Sequence, residues 1–224
     1  MQDMYSAISA KFPLLSALSV EEQAVVKANL GYVKFADQQL LITKAEQCKS
    51  VFFVLTGSIR VYMVSEEGRE ITLYRLVPGD VCLFTLSCLA GLGELLANAE
   101  ASAGTEVVTL PGIIYQNLMH SSPALHKHTM ASALTRLRQV MKVVELVTFV
   151  PIKQRVGLFL CDAMHKQGSV KLKLTREQIA LEVGTAREVV SRVLGEFEQE
   201  GVLALGRGSV TVLQRDVIND FCLV

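Results

Sequence analysis

The sequence predicts an α+β protein: an N-terminal antiparallel β-roll of the double-stranded β-helix type, one long helix, and a C-terminal helical unit closed by a hairpin. Three patterns carry that reading. Between about Gly31 and Gly112, runs rich in β-branched and aromatic residues alternate with glycine turns. Between Pro123 and Phe149, apolar residues recur at helical spacing. After Pro151, helical segments return and finish on two short β-like runs around Gly206-Arg207-Gly208. The 224 residues are 50% hydrophobic and 20% charged, with 22 Lys+Arg against 22 Asp+Glu, which excludes a disordered chain. Zero net charge does not exclude a nucleic-acid partner, because phosphate attraction depends on where basic groups cluster.

Mean hydropathy is high at +0.37, which raises the question of a membrane span. The uncharged run Val81 to Gly93 is thirteen residues long, short of the ~20 a spanning helix needs. A longer run, Val107 to His126, is broken by Pro111, Gln116, Asn117, His120 and Pro123. The start, Met1 to Tyr5, lacks the basic and then apolar layout of a secretory signal, so the expectation is a cytoplasmic protein with no membrane partner. Five cysteines, Cys48, Cys82, Cys88, Cys161 and Cys222, stand at irregular spacing without a CxxC. In a reducing compartment they are expected as packed thiols, with neither a disulfide framework nor a metal site.

The elements follow in order. Residues 3 to 30 read as short helices, with Ser19 as an N-cap ahead of Glu21 and Glu22. Strands are expected at 51–55, 59–64, 71–76 and 106–110, separated by Gly57, by Glu66-Glu67-Gly68-Arg69 and by Pro78-Gly79-Asp80. In the long helix Met130, Leu134, Leu137, Met141 and Val144 form a heptad seam, and Ala133, Val140 and Val147 widen it. A helix with two apolar edges has two partners, here its own roll and a symmetry mate; the plainer alternative is a core helix of a monomer. Pro151 breaks this helix and opens the next, placing a hinge near 149–152. The expected parts are 1–122, a roll with N-terminal helices; 123–150, a dimerisation helix and hinge; and 151–224, a second domain.

That second domain carries the chemistry. Thr175 caps a helix whose Ile179 and Val183 point inward, and Gly184 can take the left-handed conformation that a tight interhelical turn requires. The following helix places Val189, Val190, Val193, Leu194 and Phe197 on one face and Arg187, Glu188, Ser191 and Arg192 on the other. An arginine can donate two hydrogen bonds to guanine, and a glutamate can accept from base amino groups, in the major groove of double-stranded DNA. Five basic and three acidic residues lie between Lys171 and Arg192, whereas Glu196, Glu198 and Glu200 lie at the far end. The hairpin after Gly201 makes the helix-turn-helix winged, with Arg207 at its tip as a phosphate contact; Thr175 and Arg176 complete the expected DNA-binding set.

On these residues the chain resembles the CRP/FNR superfamily of bacterial transcription regulators. The resemblance spans nearly the whole chain, through Leu55-Thr56-Gly57-Ser58-Ile59-Arg60-Val61, Pro78-Gly79-Asp80, the heptad helix, Ile152-Lys153-Gln154-Arg155-Val156 and above all Glu188-Val189-Val190-Ser191-Arg192. It implies an effector-binding β-roll, a homodimer, a palindromic DNA site read by Glu188, Ser191 and Arg192, and RNA polymerase as partner if the protein activates. An enzyme is not expected, since the roll contains no histidine.

The effector is harder to read. From Leu76 to Thr135 there is no arginine, so cyclic AMP lacks the cation that pairs its phosphate in family members that bind it. No cysteine precedes Cys48, which disfavours an N-terminal iron-sulfur cluster. Heme, as in gas sensors of the family, would need His126 or His128. Two positive readings stay open beside the plain one of packed thiols: a dithiol switch at Cys82 and Cys88, or a small uncharged ligand near Leu83, Phe84 and Leu89. The opposing class is a ligand-binding β-barrel without DNA binding.

Overall fold

The computed structural model describes residues 2–42, 50–82 and 97–223. Three helices open the chain: α1 (Gln2–Lys11), α2 (Pro13–Ser16) and α3 (Val20–Asn29). Ser19 caps α3 as expected, its hydroxyl accepting from the Glu22 N–H while the Glu22 carboxylate accepts from the Ser19 N–H.

Among the described residues eight strands follow: β1 (Gly31–Lys34), β2 (Gln39–Ile42), β3 (Ser50–Thr56), β4 (Ile59–Val64), β5 (Glu70–Leu76), β6 (Val81–Cys82), β7 (Asn98–Ala101) and β8 (Glu106–Pro111). They form two four-stranded sheets, ordered β1-β8-β3-β6 and β2-β7-β4-β5. Apart from β4 and β5, which lie side by side in one sheet, sequence neighbours fall in opposite sheets, the arrangement of a β-roll. β3 pairs with β8, where Val51 faces Leu110 and Phe53 faces Val108 ahead of a register shift between Val54 and Thr56. Between the sheets lie Val54, Ile59, Val61, Leu76, Cys82, Ala99 and Val107, while Phe12, Phe53 and Tyr115 join the outer face of one sheet to the N-terminal helices. The Phe12 and Phe53 rings meet edge to face at 5.2 Å, a favourable geometry for two aromatic quadrupoles.

Two helices leave the roll, α4 (Gly112–Ser121) and the long α5 (Pro123–Phe149), whose ends stand where the two prolines place them. Leu125 and Thr129 of α5 are buried, and the Thr129 hydroxyl hydrogen-bonds the Tyr115 hydroxyl at 2.8 Å. Then come α6 (Ile152–Gln167), β9 (Lys171–Leu172), α7 (Arg176–Val183), α8 (Arg187–Gln199), β10 (Leu203–Gly206), β11 (Ser209–Val212), α9 (Arg215–Asp220) and a 3-10 turn (Phe221–Leu223). The three short strands form a sheet ordered β10-β11-β9, and a core of Val156, Leu160, Leu172, Ile179, Val190, Leu194, Phe197 and Ile218 holds the helices on it. The chain divides into two compact units, one of residues 1–63 with 73–140 and one of residues 64–72 with 141–224. Among the described residues no helix is long and apolar enough to cross a membrane.

One expectation fails. Cys161 and Cys222 are joined in a disulfide, with their Cα atoms 6.2 Å apart, so they are not independent thiols. They stand 61 positions apart, and only the return of the last turn onto α6 brings them together. Spacing in the sequence therefore holds no trace of the pair. Cys82 is buried and lies outside that disulfide.

Candidate nucleic-acid interface

Local chemistry builds the turn between α7 and α8. The Thr175 hydroxyl accepts from the Gln178 N–H at 3.1 Å, and the Gln178 side-chain oxygen accepts from the Thr175 N–H at 2.8 Å. This capping box satisfies two backbone donors at the start of α7. The helix stops at Gly184, φ +71°, whose N–H returns to the Ala180 carbonyl at 2.9 Å. A side chain at that φ would crowd its own backbone, so glycine fixes the point at which the chain turns into α8.

On α8 the expected division of faces is present. Val190, Val193, Leu194 and Phe197 are buried and Val189 is half-buried, whereas Arg187, Glu188 and Arg192 are exposed and Ser191 lies half-buried at their edge. The burial of one face fixes the rotation of the helix, which leaves the polar set outward on its first two turns.

Electrostatics divide the same helix along its length. At its far end Glu196 and Glu200 pair with Lys153, and the Glu198 carboxylate accepts from the Leu205 N–H at 3.0 Å. The acidic end is thereby occupied within the unit. At the near end Arg187 lies 3.8 Å from Glu177, both well exposed, a contact of at most about 1 kcal/mol. Among the described residues Arg176, Arg192 and Arg207 make no ion pair, which leaves their guanidinium donors open to solvent. Helix N-termini add unfilled backbone N–H groups at the same end.

The wing completes the surface. Residues β10 and β11 pair with Gly206 opposite Ser209, and Arg207 is exposed in the turn, with Gly208 at φ +69°. A cleft of about 350 Å³ between the start of α7 and the wing is lined by Thr175, Arg176, Arg187, Gly206, Gly208 and Ser209. Three of the expected DNA-binding residues therefore meet around one concavity, with Arg207 at its edge in the chain.

Other expected residues are placed as follows. Met130, Leu134, Leu137, Met141 and Val144 are all exposed on α5, as is Phe149. Cys82 is buried in β6 opposite Phe52. Leu83, Phe84, Cys88 and Leu89 lie outside the described residues. His126 is exposed; His128 is half-buried, and burial pushes its pKa down.

Reading the sequence missed three arginines. Arg60 is buried in β4 with its guanidinium 4.3 Å from the Tyr62 ring centre. Arg136 of α5 pairs with Asp80 and lies 5.4 Å from the Tyr74 ring centre. Arg155 of α6 donates to the Val183 carbonyl at 3.0 Å, closing the end of α7. Arg60 and Arg155 stand in segments that carry the family resemblance, but nothing in the sequence says that one guanidinium is buried in a strand and the other turns back to a helix end.

By class, a β-roll with interleaved sheets joined to a winged helix-turn-helix with an outward basic tip is a DNA-binding regulator. The comparisons narrow the class. Residues 154–221 match the Crp-like helix-turn-helix domain, and residues 32–122 match the cyclic nucleotide-binding domain. The cyclic AMP receptor protein of Thermus thermophilus is 27% identical over 208 residues, covering 93% of this chain and 95% of that protein. The cAMP-activated global transcriptional regulator CRP of Escherichia coli O6:H1 is 25% identical over 185 residues, covering 80% and 88%. The crystal structure of a CRP/FNR-family regulator from Eubacterium rectale superposes with a TM-score of 0.89 at 31% identity, covering 96% of this chain and all of that one. The chain belongs to the CRP/FNR family of DNA-binding transcription regulators.

Proposed function

We infer that the chain acts as a homodimer on a palindromic DNA site, with Glu188, Ser191 and Arg192 of α8 reading base edges. Thr175, Arg176, Arg187 and Arg207 hold the phosphates on either side. The working parts are 1–122 for sensing, 123–150 for dimerisation and hinge, and 151–224 for DNA. The observation that carries this reading is the outward polar face on the first two turns of α8, behind a glycine turn and above a buried apolar face. Two such helices in a two-fold dimer enter successive major grooves about 34 Å apart. The exposed seam Met130, Leu134, Leu137, Met141 and Val144 supports the pairing, because an isolated chain would leave these five apolar side chains in water.

A signal in the roll shifts the population between two arrangements, one of which matches the DNA spacing. The signal is either thiol chemistry at Cys82 and Cys88 or a small uncharged ligand. Cyclic AMP is not expected to be the effector, since no arginine stands between Leu76 and Thr135 and Arg136 is already engaged by Asp80. The protein works in the cytoplasm, and RNA polymerase is a further partner if it activates.

Binding to specific and random duplexes tests the assignment. Arg192→Ala should lose ~1–3 kcal/mol on the specific site and flatten its base preference, whereas Arg207→Ala should weaken both duplexes alike. Equal losses on both duplexes for both variants would overturn it.

A further inference from the structure

Three groups that ordinary DNA reading does not use come together at the end of the chain. Cys161 is fully buried on α6, Cys222 is exposed in the final 3-10 turn, and His165 lies one helical turn beyond Cys161. The imidazole Nδ1 is 3.7 Å from the Cys161 sulfur and 4.0 Å from the Cys222 sulfur, and the three groups bring their reactive atoms within 4.8 Å of one another. A cross-link serving only to hold the fold needs no imidazole against its sulfurs. In a dithiol that opens and closes it has a use, because a neighbouring base takes the thiol proton and leaves the thiolate that reacts.

The asymmetry of exposure assigns the roles. We propose that Cys222, Cys161 and His165 form a redox-active dithiol site that exchanges with small-molecule disulfides. Cys222, open to solvent, gives its proton to His165, and its thiolate attacks one sulfur of R–S–S–R. The S–S bond breaks, Cys222–S–S–R forms and RS⁻ leaves. The Cys161 thiolate then attacks the Cys222 sulfur and expels the second RS⁻. The protons lost by the two cysteines end on the two RS⁻, and the two cysteines are oxidised as the small disulfide is reduced. Excess small thiol runs the sequence backward.

Closure has a mechanical consequence within the unit. Phe221, adjacent to Cys222, stacks edge to face on Phe197 of α8 with ring centres 5.8 Å apart. It also fills the space above Gly157, where an added Cβ would come within 2.5 Å of its ring. The disulfide therefore clamps the residue that supports the inner face of α8. The proposal does not depend on what α8 binds, and its test uses no DNA.

The experiment equilibrates the full chain in glutathione buffers of graded ratio, quenches it by alkylation and maps cysteine peptides by mass spectrometry. A linked Cys161–Cys222 peptide should appear and disappear with the ratio. In Cys161→Ala, a glutathione adduct should accumulate on Cys222, since no second thiol resolves it. His165→Gln should slow closure at pH 7 about three-fold, because a neighbouring base raises the thiolate fraction more than it lowers nucleophilicity. A pair that stays linked in the folded chain under excess thiol is a fixed cross-link and would overturn the proposal. So would a pair that stays reduced under excess oxidised glutathione, or a His165→Gln rate equal to that of the unmodified protein.

Discussion

Two glycines of the C-terminal unit differ in what they are for, and substituting alanine at each should move stability in opposite directions. Gly184 ends α7 at φ +71°, and a Cβ built there would stand 2.9 Å from the Cγ1 and Cδ1 atoms of Ile71. The Ile71 contact involves Cγ1 as well as the terminal Cδ1 of a β-branched side chain that is stiff at χ1, so it adds to the cost. The left-handed backbone cannot change without moving α8, and it costs an L-residue about 1–2 kcal/mol. Gly195 sits inside α8 with nothing within 4 Å of a built Cβ, so alanine there removes chain entropy from the unfolded state and should gain about 0.5–1 kcal/mol. The two variants should therefore differ by about 2 kcal/mol. With a urea slope of 1–3 kcal/mol/M this separates their midpoints by about 1 M. The chain has no tryptophan, so far-ultraviolet circular dichroism is the probe. Midpoints shifted in the same direction would refute the assignment of Gly184 as the residue that sets the turn.

Alkaline titration gives a second test: burial pushes the Tyr115 phenol up to about 12, partly countered by its Thr129 hydrogen bond. Because the unfolded phenol releases its proton near pH 10, stability is complete below that value and falls from pH 10 to 12, by about 2–3 kcal/mol. Tyr115→Phe should flatten much of this decline in urea melts taken at each pH, with Tyr74, raised by burial as well, accounting for a remainder. A decline unchanged by Tyr115→Phe would count against the assignment. Leu134→Lys with Leu137→Lys should turn the proposed dimer into a monomer by sedimentation while leaving the circular dichroism spectrum intact; an unchanged sedimentation coefficient would remove the seam from the interface. Cys222→Ser should lower the stability of the C-terminal unit by about 4 kcal/mol under oxidising conditions, from the loop entropy of a 61-residue separation, and by little under reducing ones.

What the sequence disclosed were features fixed by neighbours along the chain. Ser19 and Thr175 announce helix starts because a hydroxyl three residues ahead of a Glu or Gln can close a capping box. Pro123, Pro151 and Gly184 mark boundaries for steric reasons that no tertiary contact has to supply. The polar face of α8 was legible because the helical period and its apolar partners lie within thirteen residues. Strands β1, β2, β6, β7 and β9 are missed. Each is two to four residues long, and β7, Asn98–Ala101, contains no β-branched residue, so pairing with distant strands alone makes it a strand. Arg60 lies in a strand with both faces buried at its start, where alternation gives no warning that a cation is inside. The Cys161–Cys222 bond and the return of Arg155 to Val183 depend on how helices pack, which spacing does not encode.

On the pairing proposed above, the oily stripe along α5 would also tie occupancy of the genome to abundance. A protein whose paired form alone spans both half-sites responds to its own copy number through mass action, so the fraction able to grip an operator rises faster than linearly with the amount made. Modest changes in synthesis or turnover would then act as a second input, independent of whatever the roll detects.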